Sequence, residues 1–461
     1  MMRSLFSGVT GLKTHQTKMD VIGNNIANVN TVGFKSSSVT FSELMYQTTQ
    51  NASGANPTTG RAGVNAKQIG LGVTNGAINT NITTSGASQT TGNPFDIQIT
   101  GDSFFIVSDG SSNYFTRAGA FYVDGAGNLA MTSNGFTVMG WYEDPDAEGY
   151  IKQDTVKALK VMTPENMVSN PEATTKAYMT GIVDKNTKAL TTSGQVVNLS
   201  FYDNLGYSYV GKFLIKNTAT DGVYTLRLDN VIYESADGTP LSITDPPYSG
   251  TLPTINTGAG DSQEICIKYN VGTGKFEGFS DTETGTFSAT PFTIDFSGSG
   301  LPNFANVEVD ISTTTMYDNN GISTVNAKAG NVEGQSAGRK VGAMSGVAIQ
   351  TDGKIFASYD NGTTKLLGQI AVASFSNASG LEKVGENLYQ TTQNSGEFNG
   401  IGIDVTSDGI GKMQTGVLEM SNVDLSAEFT EMITTQRGFQ ANSRIITVSD
   451  SLLEELTNLK R

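Results

Sequence analysis

Hydrophobic residues near the N-terminus recur at helical spacing. Leu5, Val9, Leu12, Met19, Ile22 and Ile26 lie three, four or seven residues apart. They predict an amphipathic helix from Ser4 to about Asn28. The last segment, Asp424 to Leu459, repeats the pattern over a longer run. Its stripe of Leu425, Phe429, Met432, Phe439, Ile446, Leu453 and Leu456 is close to a heptad. Asp424 is placed to cap this helix and Glu428 lies in its first turn. Gly438 is an interior blemish, costing about 1 kcal/mol relative to alanine.

Between the two helices the period changes from 3.6 to 2. "NPFDIQITGDSFFIVSDG" (Asn93–Gly110) alternates apolar and polar positions, and "VDGAGN" and "YDNNG" are turn sequences. Thr351 to Phe375 reads as three strands joined at Asp352-Gly353 and Asn361-Gly362. From Val156 to about Ile311 the pattern stays β with more Pro and Gly, as in "TDPPYSGTLPT" (Thr244–Thr254), which suggests an inserted domain. The fold class expected is mainly β and multidomain, with paired N- and C-terminal α-helices and discontinuous, nested β domains. The divisions expected are residues 1–28 and 420–461 for the helices and 29–75 for a connector or extended hairpin segment. A discontinuous β domain takes 76–149 and 308–419, and an inserted β domain of one or two parts takes 150–307.

Both terminal helices need somewhere to bury a stripe, and pairing them is the economical arrangement. Two helices alone leave apolar flank exposed, and neither has an evident β face to pack on. The remaining surface is therefore expected to meet copies of itself, as a coiled-coil-like polymer core. The predicted subunit-interface residues are Leu5, Leu12, Met19, Ile22, Ile26, Leu425, Phe429, Met432, Phe439, Ile446, Leu453 and Leu456. Before assembly these segments are expected to be poorly ordered.

The first helix ends in "IGNNIANVNTVGFK" (Ile22–Lys35), with Asn24, Asn25, Asn28 and Asn30 close together. Amides donate and accept, so they can bond to neighbouring elements where burying a charge is too costly. Capping and a turn at Gly33 explain part of the cluster. Phe34 and Lys35 then read as an exposed pair.

Composition narrows the chemistry. The 461 residues are too many for one core. Charged residues are 16 % of the chain and the net charge is −15, which argues against nucleic acid or an anionic membrane as partner. No stretch approaches the ~20 apolar residues of a membrane span. The opening residues, MMRSLFSGVTGLKTHQ, show no apolar core and no small-residue cleavage site, so no cleaved signal peptide is expected. The one cysteine, Cys266, reads as a small buried hydrophobe in a strand. With one histidine, His15, and one cysteine, a zinc site is not expected, and no carboxylate pair stands out as catalytic. The expectation is a non-enzyme with no cofactor and no metal.

"NNIANVNTVGFK" resembles the N-terminal signature of the bacterial flagellar axial proteins, the rod, hook and hook-associated family. The motif residues are Asn24, Asn25, Ala27, Asn28, Asn30, Thr31, Gly33, Phe34 and Lys35. Phe115–Gly140, Leu366–Gly396 and Gly416–Arg461 are similar to further family blocks, in the family's order. The insert of roughly 160 residues far exceeds an ordinary loop. Together with "VNLSFYDNLGYSYVGKFLIK" (Val197–Lys216), it resembles a hook-type subunit more than a rod subunit. The resemblance implies a structural subunit of a flexible, curved tube that transmits torque from rod to filament and encloses the export channel. The partners it implies are the protein itself, rod and hook-filament junction proteins, a hook cap and the flagellar type III export apparatus. The location it implies is the hook, outside the cell surface. The alternatives are a distal-rod protein with an insertion, or a surface adhesin or carbohydrate-binding β protein.

Overall fold

The structure is a computed structural model. It describes residues 2–459 except 56–59, 145–146, 148, 235–238, 246–249, 258–260, 301–302 and 408–410. The Pro-Pro stretch of the insert thus lies outside the described residues. The chain divides into two compact units. One comprises Met1–Asn166, Gly346–Ser358 and Thr364–Arg461, and the other Met167–Ser345 and Tyr359–Thr363.

In the first unit an N-terminal helix, Met2–Ala27, pairs with a C-terminal helix, Leu425–Asn458. Asp424 caps the second helix, its carboxylate accepting from the amides of Ser426 and Ala427. After the first helix the chain runs out and back as one antiparallel arm. Strand β1 (Ser37–Glu43) pairs with β4 (Val73–Thr80), and β2 (Tyr46–Gln50) with β3 (Lys67–Gly70). The arm's pairing thus reaches Thr80, past the 75 expected. Its inner part also gives the N-terminal helix the β face that the sequence did not suggest. The Thr17 hydroxyl accepts from Asn75 at 3.2 Å, and the His15 ring meets Phe41 edge-on at 5.5 Å.

The β domain of this unit interleaves the two halves of the chain. Phe104–Ser108 pairs with Asn113–Thr116, Thr137–Trp141 and Val372–Ala373. Leu388–Gln390 pairs with Asn113–Thr116, Gly411–Thr415 with Ile97–Gly101, and Val417–Glu419 with Ser88–Thr90. The alternation seen in the sequence buries Phe104, Ile106, Phe115 and Trp141 with Ala371, Ala373 and Tyr389. The Trp141 indole N–H donates to the carbonyls of Asp154 and Ile401.

The second unit is built from Gln195–Tyr202, Ser208–Asn217, Val223–Glu234, Glu264–Tyr269 and Phe276–Ser280 as an antiparallel meander. A second sheet joins Phe292–Asp295, Val307–Asp310, Lys176–Ile182 and Asn326–Ala329. One apolar cluster includes residues of both sheets, among them Leu199, Phe213, Leu226, Phe292 and Val309, so the insert is one unit. Its edges differ from the 150 and 307 expected. Lys157 pairs with Gly140, which keeps 150–166 in the first unit. Lys176–Ile182 pairs with Val307–Asp310 and Asn326–Ala329, which holds 308–345 in the second. Cys266 is buried in this unit, and burial pushes its thiol above the ordinary range.

The ends of the insert meet. The Met344 amide donates to the Met167 carbonyl at 2.9 Å, and Val168 pairs with Ala343. Excision should therefore leave a closable gap. Joining Asn166 to Ser345 is expected to leave the first unit folded, read as a cooperative thermal transition of a β protein. Loss of that transition would place the insert within the first unit's core.

Candidate assembly surface

The helices pair in antiparallel fashion through a seam of small and polar residues. The Ser4 and Ser449 hydroxyls are 3.4 Å apart at one end, and Asn25 donates to Glu428 at 2.8 Å at the other. A Cβ on Gly8 would lie 3.2 Å from Ile446 Cγ1, and one on Gly11 would lie 2.6 Å from Asn442 Nδ2. At Gly438 a Cβ would lie 2.7 Å from His15 Cε1, so this glycine gives the imidazole its room. It is not merely a blemish in the helix. Thr14, Thr435 and Ser449 are also buried in the pair.

Placing small side chains inside turns apolar ones outward. Phe6, Ile433 and Val448 are each 59 % exposed, and Val9, Ile445 and Leu452 are exposed as well. Among the residues expected at the interface, Leu425, Phe429, Phe439 and Leu456 are exposed. Leu5, Leu12, Met19, Ile26, Met432, Ile446 and Leu453 are half-buried. Ile22 is buried within the chain, so it is not available to a second copy. Reading the stripe as one continuous face missed Phe6, Ile433, Ile445, Val448 and Leu452. The small residues at 8, 11, 435, 438 and 449 were the signal that the seam lies on another face.

The asparagine cluster ends in a junction. Asn25 is 1 % exposed, and its amide donates to Glu428 and to the Ser37 carbonyl while accepting from the Ser37 amide. It fastens both helices to β1. Asn28 donates to Asn24 and accepts from Thr31, a local cap. Asn24, Ala27 and Asn30 are exposed. Gly33 adopts φ 69°, and a Cβ there would lie 2.7 Å from the Ala118 amide. The chain is thereby pressed against the β domain, which buries Phe34 and Lys35 where exposure was expected.

Lys35 Nζ donates to Glu419 Oε1 and to the Thr84 carbonyl, both at 2.8 Å. Arg117 Nε lies 3.8 Å from Glu419 Oε2, and its other nitrogens donate to the carbonyls of Ser103 and Gly101. Burial lowers the pKa of Lys35 despite the opposing pull of Glu419, and lowers that of Arg117 likewise. Asn422 closes the arrangement, accepting from Ser36 and donating to the carbonyls of Asn81 and Thr84. The junction thus joins the N-terminal segment, the C-terminal segment and the β domain. Among the described residues no His, Cys, Asp or Glu cluster could hold a metal, and no helix is long and apolar enough to cross a membrane.

Three family descriptions match the chain. "Flagella basal body rod protein" matches residues 5–35, "Flagellar hook protein FlgE/F/G D1 domain" residues 98–174, and "Flagellar basal body rod FlgEFG protein C-terminal" residues 414–459. The chain is 35 % identical over 474 residues to the flagellar hook protein FlgE of Borreliella burgdorferi, covering 100 % of both. It is 33 % identical over 493 residues to that of Treponema pallidum, again covering 100 % of both. It is also 30 % identical to the flagellar basal-body rod protein FlgG of Bacillus subtilis, over 461 residues and 100 % of both chains.

Two outcomes are expected at this surface. Glu419→Gln leaves two buried cations with Asp102 as their remaining nearby negative charge and should destabilise the first unit by about 3–5 kcal/mol. Lys35→Met leaves Arg117 and Glu419 as a neutral pair and should cost less. Denaturant unfolding of the two variants checks the order, and a reversed order refutes the shared-carboxylate account.

The second outcome concerns His15, whose buried Nδ1 finds no hydrogen-bond partner among the described residues. Burial, then the Lys18 charge, holds its pKa below the ordinary 6.5. The folded state therefore binds fewer protons, so stability rises with pH across that window. Docking of the helix pair should be full above pH 6.5 and weaken as pH falls below it. Burial raises Glu428 above 4.5, so that carboxyl favours the folded state as pH falls and opposes His15. Lys18 is itself paired with Glu431 at 2.7 Å. Comparing protease trimming of the N-terminal helix in the wild type and His15→Gln isolates the histidine. Equal acid sensitivity in both would refute its role.

Proposed function

The chain belongs to the flagellar hook protein FlgE family and is a structural subunit of the hook, and from that premise we propose that its paired terminal helices form the core of a curved, flexible tube of many copies. The observation that carries this reading is the outward-facing apolar surface of the helix pair. Phe6, Phe429, Ile433, Phe439 and Val448 lie exposed on helices whose small-residue seam is already filled. Exposed apolar patches of this kind mark interaction sites. A homopolymer supplies the same cover to every copy.

In this reading the helices surround the export channel, the β domain forms the shell and the insert faces outward. The tube passes torque from rod to filament while bending. Its end partners are rod and hook-filament junction proteins, with a hook cap during growth. The subunit leaves through the type III export apparatus. It carries no catalytic role, no cofactor and no metal. The full-length alignment to a relative named as a rod protein favours a second reading, a distal-rod subunit with an insertion. That subunit would form a straight polymer, so imaging separates the two. The adhesin and carbohydrate-binding alternatives lose their support once the family is established.

Kosmotropic salt strengthens apolar burial and should drive the purified chain into polymer. Val448→Asp and Phe439→Asp would each bury an unpaired charge between copies, at a cost of several kcal/mol. Both variants should keep the wild-type thermal transition and lose polymer formation by sedimentation and electron microscopy. Normal polymers from either would remove that residue from the interface.

A further inference from the structure

Two complementary shapes lie at opposite ends of the helix pair. The register that sets Ser4 against Ser449 brings Met2 level with Ser451. Leu452 to Asn458 therefore run past the described start of the N-terminal helix by about two turns, roughly 10 Å. Leu452, Leu456 and Leu459 are exposed on this overhang, Leu459 at 82 %. At the other end, beside the junction, is a groove of about 410 Å³ whose lining includes Val32, Ala118, Ala120, Met131, Ser133 and Asn387. Its walls are set before any partner arrives. Gly33 is pressed on Ala118, Met131 is buried, and Asn387 donates to the Val32 carbonyl at 2.8 Å.

We propose that the C-terminal overhang of one copy docks in the junction groove of a second copy, in a head-to-tail contact that repeats along the polymer. This rests on the reading of the chain as a polymer subunit. The occupant follows from geometry. The C-terminal helix leaves the junction and runs about 50 Å, so the chain's own leucines end far from its own groove. A stacked copy brings the two together. Pairing one overhang with another would be symmetric and close at a dimer, whereas knob into groove leaves a free end on each side and propagates. A leucine-bearing helix end also suits a groove lined in part by Val32, Ala118, Ala120 and Met131. The rigid groove limits the ordering cost of binding.

The test is a chain carrying Leu456→Cys and Ser133→Cys, both at exposed positions, with Cys266→Ser to remove the native thiol. Salt-induced polymers of this chain are oxidised with glutathione disulfide and run denatured without reductant. A ladder of multimers that reductant collapses to monomer is the expected result. Each single-cysteine control should stop at dimer or below. Where the double variant does not polymerise, the two single variants mixed into excess wild-type chain should yield a reducible dimer that neither yields alone. Polymers that give no such link overturn the docking and leave the polymer reading standing. Wild-type chain that forms no polymer under these conditions overturns that reading as well.

Discussion

Glu419 carries one negative charge between two buried cations, Lys35 and Arg117, and the first unit is organised around that carboxylate. Lys35 arrives from the segment after the N-terminal helix, Glu419 from the segment before the C-terminal helix, and Arg117 from the β domain. Isolated, each would be costly to bury; together they are compensated only when all three segments are docked. Glu419 Oε1 also accepts from the Gly86 amide, so the backbone shares in holding the charge. The ionic contact therefore joins chain positions 35, 117 and 419, which sequence separation alone would leave apart. Asn25 and Asn422 extend the same join with neutral hydrogen bonds, one to the helices and β1, the other to the backbone around it.

From that fixed end the helix pair is built with its apolar surface outward. Glycine, serine, threonine and asparagine fill the seam, which lets the helices approach closely but contributes little apolar burial. Phe6, Val9, Phe429, Ile433, Ile445, Val448 and Leu452 face away, while Ile22 is buried and Ile446 lies against Gly8. Hydrophobic stabilisation scales with apolar area removed from water, at about 25 cal/mol per Å². In the proposed polymer much of that gain would come only when other copies cover the outer face. In that reading the hook subunit keeps an orientation set within one chain and a driving force that appears only on assembly.

The helices were legible because a 3.6-residue period over a long run is the strongest local signal, and Asp424 marked its own cap. Strands on both sides of the insert were legible from alternation, and their joining into one domain was legible from the family resemblance. The direction of the helix faces was not. Gly8, Gly11 and Gly438 are a signal that can be read only once it is known which residue of the partner helix stands opposite each. Lys35 misled for a related reason. A lysine after a turn is ordinarily solvated, and nothing local announces a counter-charge 384 residues away. The edges of the insert were displaced because strand pairing, which decides them, is a non-local property. Lys157 joins Gly140, and Lys176 joins Glu308.

The central claim is that the outer face of the helix pair is open in the monomer and covered by other copies in the polymer. Thiol labelling at one position tests it most directly. Ile433→Cys places a thiol where the side chain is 59 % exposed, while the native Cys266 is buried and should stay unreactive. Maleimide should modify the new thiol rapidly in monomer, and protection should follow assembly. Equal labelling of monomer and polymer would show that this face stays open to water and that the tube is held together by another surface.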